Sequence, residues 1–417
     1  MPKRPAVGAL QSEPMKGKWM RESWRWYGPL DKITLSDIAQ TGAGGIVTAL
    51  HEIPYGQVWS REAIAERKRL IADAGHGQDW LVVESLPIHE RIKRGDGDLS
   101  DLFAKYRQSM ANLAAEGIKT ICYNFMPLID WTRTALRHPL PQGGSCLRFD
   151  QALICALEIH MLGRDGADQD YTQDVKTRAR DWFDQSTEDD RTALIAAIMA
   201  GLPGAYDRYD VPGLRNALAL YSGIGRNEIR ANYARFLAEV IPAAVDLGMR
   251  FCVHPDDPPR DIFGLPRVVT CADDIAWIMD QQPSIENGLT LCSGSLGANP
   301  ANDVPAIAHR FGDRIHFVHL RNVRKDPDGS FAEAAHLEGD TDMVALTAAL
   351  LAEEARRRDT GRTDHNLPWR PDHGHEMLSD IGSGAHPGYP LVGRLRGLAE
   401  IRGLIAALSH PHVSFAD

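Results

Sequence analysis

Short apolar runs rich in β-branched residues recur along the chain, and each gives way to polar residues and then to apolar positions at helical spacing. The runs are Gly45–Leu50, Trp80–Ser85, Lys119–Phe125, Met249–Val253, Leu289–Ser293, Ile315–Leu320 and Trp369–His375. Between them the spacing predicts helices over Arg61–Ala74, Asp98–Glu116, Ile229–Leu247, Asp342–Arg358 and Val392–Leu408. The second of these stops at Gly117, a residue that readily takes the left-handed conformation of a helix end. Alternating strands and helices imply a parallel sheet. With an eighth strand sought near Arg267–Thr270 or inside the middle of the chain, the pattern predicts an α/β fold, a closed (β/α)8 TIM barrel. No G-x-G-x-x-G follows the first run, which removes the usual dinucleotide signal.

The middle of the chain departs from a minimal barrel. Residues 131–230 carry helical patterns, including Phe149–Leu162 and Ala193–Leu202, and are expected to form a helical insertion bounded by stretches such as Pro139–Gly144. Residues 1–23 have the composition of a disordered extension, which leaves residues 24–417 as one barrel domain. Trp24–Gly28 (WRWYG) reads as an aromatic plug beneath or beside the barrel, with substrate stacking by Trp26 as the weaker alternative.

Composition narrows the partners. Hydrophobic residues make up 43% and charged residues 24%, ordinary values for a globular protein. The net charge of −10 argues against nucleic acid, which wants a basic surface. No run of 18 apolar residues suggests a membrane span, and the polar, basic N-terminus lacks the apolar stretch of a secretory signal, so a cytoplasmic location is expected. Six cysteines without tight spacing do not make a disulfide framework, and Cys122, Cys252 and Cys292 read first as small buried hydrophobes inside strands.

In a barrel of this kind the chemistry gathers where strands end. His254, Cys292, His319 and Asp372 each close a different proposed strand. Two imidazoles, a thiolate and a carboxylate converging on one mouth make a divalent transition-metal site, against the bland reading of hydrogen-bonded structural residues. His373, beside Asp372, is an acid/base group next to a ligand or else a loop residue. His254–Arg260 (HPDDPPR) reads as a preformed site loop or as a rigid turn capped by Asp256. Arg321, two residues after His319, is either a bidentate partner for a substrate carboxylate or one half of a salt bridge.

Taken together, WRWYGP (24–29), GIVTALHEIPYGQVW (45–59), VVESLPIHE (82–90), CYNFMPLIDWTRT (122–134), CVHPDDPPR (252–260), CSGSLG (292–297), HLRN (319–322), EAAHLEGDTDM (333–343) and RPDHGH (370–375) resemble the mannonate dehydratase family, in order and over nearly the whole chain. The resemblance implies a barrel similar to xylose isomerase and the dehydration of D-mannonate to 2-keto-3-deoxy-D-gluconate in hexuronate breakdown, with Mn²⁺ or Fe²⁺. It implies metal ligands at His254, Cys292, His319 and Asp372, an acid/base pair at His373 and Tyr389 of undecided order, and Arg321 as the candidate substrate-binding arginine. It also implies a sugar acid as partner and self-association, a dimer in the simplest case. A sugar isomerase or epimerase, a dehydratase of another aldonate, and a non-catalytic sugar-acid binder are the alternatives.

Overall fold

The computed structural model describes residues 19–201 and 209–410. Residues 1–18 of the expected extension lie outside these. In chain order the strands are β1 (Arg21–Arg25), β2 (Gly45–Thr48), β3 (Asp79–Glu84), β4 (Thr120–Tyr123), β5 (Ala135–Pro139), β6 (Ser145–Phe149), β7 (Arg250–Val253), β8 (Asn287–Cys292), β9 (Ile315–Leu320), β10 (Asn322–Lys325), β11 (Phe331–Ala334) and β12 (Pro368–Pro371). Eight of them close a parallel barrel in the order β1-β12-β9-β8-β7-β4-β3-β2. The other four form an antiparallel sheet in the order β10-β11-β6-β5.

All seven expected strands lie in the barrel wall, shifted by a few residues at their ends. The eighth is β1, not the Arg267–Thr270 stretch, which is irregular and whose Val269 N–H is spent on Asp256. It escaped notice because its sequence, RESWR, is not an apolar run. Its buried side chains include Ser23, which donates to the Trp369 carbonyl, and Arg25, which donates to the Glu84 carbonyl. A barrel wall tolerates such polar residues because each finds a partner across the interior. Thus the chain enters the barrel at Arg21, and WRWYG is part of the wall and its first loop rather than a plug. Trp24 is fully buried under Arg394, and Trp26 packs against Arg67.

Between β4 and β7 the excursion begins with the β5–β6 hairpin and continues as helices Gln151–Ala156, Gln173–Gln185, Glu188–Ile198 and Val211–Ala219. The last helix before β7, Arg226–Asp246, packs on Ser100–Ala115 and belongs to the outer ring of the barrel. β6 pairs with β11, so this excursion and the β10–β11 hairpin that follows β9 build one small sheet.

Residues i and i+2 of a strand share a face. Cys252, Thr290 and Phe317 therefore lie one layer below His254, Cys292 and His319. Cys252 and Phe317 cluster with Val47, Val82 and Cys122, and Thr290 donates to Cys122 Sγ at 3.2 Å, which gives the barrel an apolar floor beneath its mouth. All six cysteines are free. Among the described residues no helix is long and apolar enough to cross a membrane.

Candidate metal centre and active site

Four strand ends deliver the predicted ligands to one place. The ligand atoms of His254, Cys292 and His319 lie within 4.8 Å of one another, and Asp372 Oδ2 is 3.7 Å from Cys292 Sγ. The ring orientations follow from the outer nitrogens. His254 Nδ1 lies 2.7 Å from the Pro255 carbonyl and so carries the proton, which leaves Nε2 for the centre. His319 Nε2 faces Glu84 Oε2 at 3.3 Å, which turns Nδ1 inward. The two inward nitrogens, His254 Nε2 and His319 Nδ1, are 3.1 Å apart. Imidazoles whose outer nitrogen faces a carbonyl or carboxylate and whose inner one is aimed at a common point match metal-ligating histidines.

The surroundings of Cys292 favour the thiolate. Burial alone would push its pKa up, but Arg321 and His254 outweigh burial and hold it well below an ordinary thiol. Ser295 adds a hydroxyl bond to the sulfur at 3.2 Å. Asp372 is likewise held far below the usual carboxylate range: burial opposes ionisation, but Arg370, on Oδ1 at 2.6 Å, then His373 and His319, and last Arg321, on Oδ2 at 2.8 Å, outweigh it. The anionic pair acts back on His254. Burial would lower its pKa, yet Cys292 and then Asp372 raise it to about 9. The donor set therefore calls for positive charge at its centre, and a divalent cation with mixed nitrogen, oxygen and sulfur preferences fits it.

A cavity opens beside these groups. His254, Asp372, His373 and Tyr389 line it together with Glu84, Asn124, Asp130, Trp131, Asp257 and Arg370. The Tyr389 ring meets His373 edge-on at 5.0 Å. Burial, with Asp372 nearby, raises the Tyr389 pKa, so its hydroxyl keeps its proton at neutral pH. His373 Nδ1 is 2.9 Å from Glu333 Oε1, and Nε2 lies 4.0 Å from Asp372 Oδ1. The loop that carries these groups has no room to spare: a Cβ on Gly374 would come within 2.6 Å of the Arg394 nitrogen, and one on Gly393 within 2.0 Å of the His375 carbonyl.

Arg321 does not line this cavity. It is buried and gives Nε to Asp372, Nη1 to Glu333, and Nη2 to both Asp257 and Ser295. The salt-bridge reading of this residue replaces the substrate-binding one: a guanidinium has five N–H groups, and four are spent on protein. HPDDPPR is a capped turn beside the cavity. Asp256 takes the Val269 N–H as a turn cap, and Asp257 accepts from Arg133 at 2.8 and 3.0 Å while bordering the cavity.

Sequence reasoning passed over several residues in and behind the cavity wall. Glu84 ends β3 and Arg370 lies in β12, so the strand-end rule that selected His254 could have found both. Arg370 bridges Glu84, at 2.8 Å, to Asp372. Glu333 had no such signal, because it lies on the accessory sheet rather than on a barrel strand.

The family model described as D-mannonate dehydratase (UxuA) matches residues 20–414. A mannonate dehydratase of Chromohalobacter salexigens is 51% identical over 390 residues, which cover 93% of this chain and 99% of that one. One from Rhizobium meliloti is 49% identical over 394 residues, covering 94% and 98%. The crystal structure of mannonate dehydratase from Streptococcus suis serotype 2 superposes with a TM-score of 0.72 at 33% identity, over 93% of this chain and 95% of that one. With the family model matched almost end to end and relatives at half identity along the same span, this chain belongs to the mannonate dehydratase family.

Proposed function

We propose that this protein dehydrates D-mannonate to 2-keto-3-deoxy-D-gluconate. The observation that carries the reading is the convergence of His254, Cys292, His319 and Asp372 beside a cavity that also holds His373 and Tyr389. The reaction removes the C2 proton and the C3 hydroxyl, so one group must accept a proton and another must donate one. A divalent cation held by the four ligands, Mn²⁺ or Fe²⁺, would supply Lewis-acid stabilisation of the negative charge that develops when the C2 proton leaves.

The chain's own residues do the rest. His373 presents Nε2 and accepts the C2 proton. Tyr389, whose buried hydroxyl stays protonated, donates to the departing C3 oxygen. The water that leaves carries the C3 hydroxyl and the Tyr389 proton; the proton held by His373 then returns to the tyrosinate, and the enol that remains tautomerises to the 2-keto acid. Arg370, between Glu84 and Asp372, holds the carboxylate ligand in place and borders the cavity where the substrate's own carboxylate would lie. The same reading makes the protein a cytoplasmic homo-oligomer acting in hexuronate breakdown.

The test is product analysis of D-mannonate incubated with the metal-loaded protein. A 2-keto-3-deoxy acid formed in step with loss of substrate is expected. An isomerised or epimerised sugar acid with no water lost would overturn the reading.

A further inference from the structure

One buried carboxylate stands behind the proposed chemistry: Glu333 is neither a proposed ligand nor part of the cavity lining, yet it meets His373, which is. Glu333 sits on β11, whose hairpin with β10 folds back over the barrel mouth directly after β9. Its Oε1 has three nitrogen neighbours: Arg133 Nη2 at 2.9 Å, Arg321 Nη1 at 2.7 Å and His373 Nδ1 at 2.9 Å. Both guanidiniums can only donate, so Oε1 is an acceptor and not a hydroxyl. The hydrogen between Oε1 and His373 must therefore sit on Nδ1. In neutral imidazole the second nitrogen, Nε2, is then an acceptor. The same residue fixes the loop a second time, because His375 Nε2 reaches the Glu333 main-chain carbonyl at 3.1 Å. Trp131 lies 5.6 Å from the His373 ring, and Tyr389 stands edge-on at 5.0 Å, so the ring is confined between them.

We infer that Glu333 is a positioning residue for His373: it holds the proton on Nδ1 and thereby keeps Nε2 free and turned toward the substrate. The inference rests on the reading of His373 as the group that accepts a substrate proton. Arg133 and Arg321 are part of the device. They keep the carboxylate ionised and fix its orientation, so that it cannot offer a hydroxyl to the imidazole. The arrangement also separates two roles. Asp257 and Asp372 answer the charge of the same arginines, whereas among these carboxylates only Glu333 meets His373 within hydrogen-bonding distance.

The other carboxylate oxygen, Oε2, is buried without a hydrogen-bond partner among the described residues. An amide nitrogen put there by Glu333→Gln displaces no bond, and the remaining oxygen still meets all three donors. Glu333→Ala removes the acceptor altogether. The pair of variants therefore divides the hydrogen-bond acceptor from mere bulk.

The primary readout does not depend on turnover. It is the ring-nitrogen NMR of His373 in ¹⁵N-histidine-labelled full-length protein loaded with diamagnetic Zn²⁺, the signal being assigned by its loss in His373→Asn. The Nδ1–H form is expected in the parent and in Glu333→Gln, and a shift toward Nε2–H in Glu333→Ala. With Mn²⁺ and D-mannonate, Glu333→Ala is expected to lose about 100-fold or more in kcat, the scale of a misdirected general base. KM should stay within about threefold, metal content should equal the parent's, and Glu333→Gln should stay within about tenfold of the parent. Added to His373→Asn, Glu333→Ala should cost no further activity. An Nε2–H form in the parent, an unchanged form in Glu333→Ala, or a loss confined to KM or metal content would overturn the inference. If Glu333→Ala does not fold, the parent's own form still decides. If the parent fails to turn over D-mannonate while the ring nitrogens behave as stated, the activity reading fails and the positioning role stands.

Discussion

Replacing Arg321 by methionine separates a buried strut from a substrate contact. The guanidinium is about 1% exposed and bonds three carboxylates. Breaking a buried ion pair by removing one partner typically costs about 3–5 kcal/mol. Three partners do not triple that figure here. Asp257 keeps both bonds from Arg133, Glu333 keeps Arg133 and His373, and Asp372 keeps Arg370 on Oδ1. Only Asp372 Oδ2, on the ligand side, loses its arginine. The loss is therefore set at one broken pair, about 3–5 kcal/mol. An unfolding entropy of about 2.1 cal/mol/K per residue gives roughly 0.9 kcal/mol/K for a chain of 417 residues, so Tm should fall by about 3–6 °C. Because Arg321 orients Asp372, metal affinity should fall about 10–100-fold as well. Scanning calorimetry of metal-stripped Arg321→Met beside the parent, followed by metal titration, measures both. An unchanged Tm and metal affinity with only KM raised would refute the strut and return Arg321 to the substrate.

Cys292→Ser removes the thiolate and keeps the size of the side chain, so the chain should fold with its barrel intact and bind metal about 100-fold or more weakly; normal metal content after dialysis would count against Cys292 as a ligand. Tyr389→Phe deletes only the hydroxyl, so kcat should fall about 100-fold or more while KM and metal content hold; a parent-like kcat would remove Tyr389 from the acid role. Glu354 is fully buried on the helix Met343–Asp359, where it accepts the Met20 and Leu367 N–H groups, and burial pushes its pKa up to about 7 from 4.5. Between those values only the folded chain holds the proton, so this group's contribution is complete below about pH 4.5 and is lost as pH rises through about 7. The window is worth about 3 kcal/mol. Glu354→Gln cannot titrate, so its Tm should gain on the parent's between pH 5 and pH 8; a constant difference would show that Glu354 does not titrate in that range.

The barrel was legible because its wall is built from apolar runs. Seven strands announced themselves, and β1 did not, since Ser23 and Arg25 are buried through hydrogen bonds rather than apolar contact. The convergence of the candidate ligands was legible for a geometric reason: in a parallel barrel every strand end faces one mouth, so His254, Cys292, His319 and Asp372 could be grouped from position alone. The second ring of charge was not. Arg133 and Glu333 meet across 200 positions of sequence through a small sheet made from two separate excursions. No periodicity records such a pairing. Arg321 shows the limit from the other side, because its neighbour His319 suggested a substrate role that only burial and donor counting could reassign.

The central claim is that the four strand-end ligands serve a metal-dependent dehydration. Its most direct test is D-mannonate turnover by metal-stripped protein, with and without added Mn²⁺, read as 2-keto acid. Product that forms only with metal, and is lost in His319→Ala along with bound metal, is the predicted result. Full activity in metal-stripped protein, or metal bound at these residues with no keto acid formed, would contradict it.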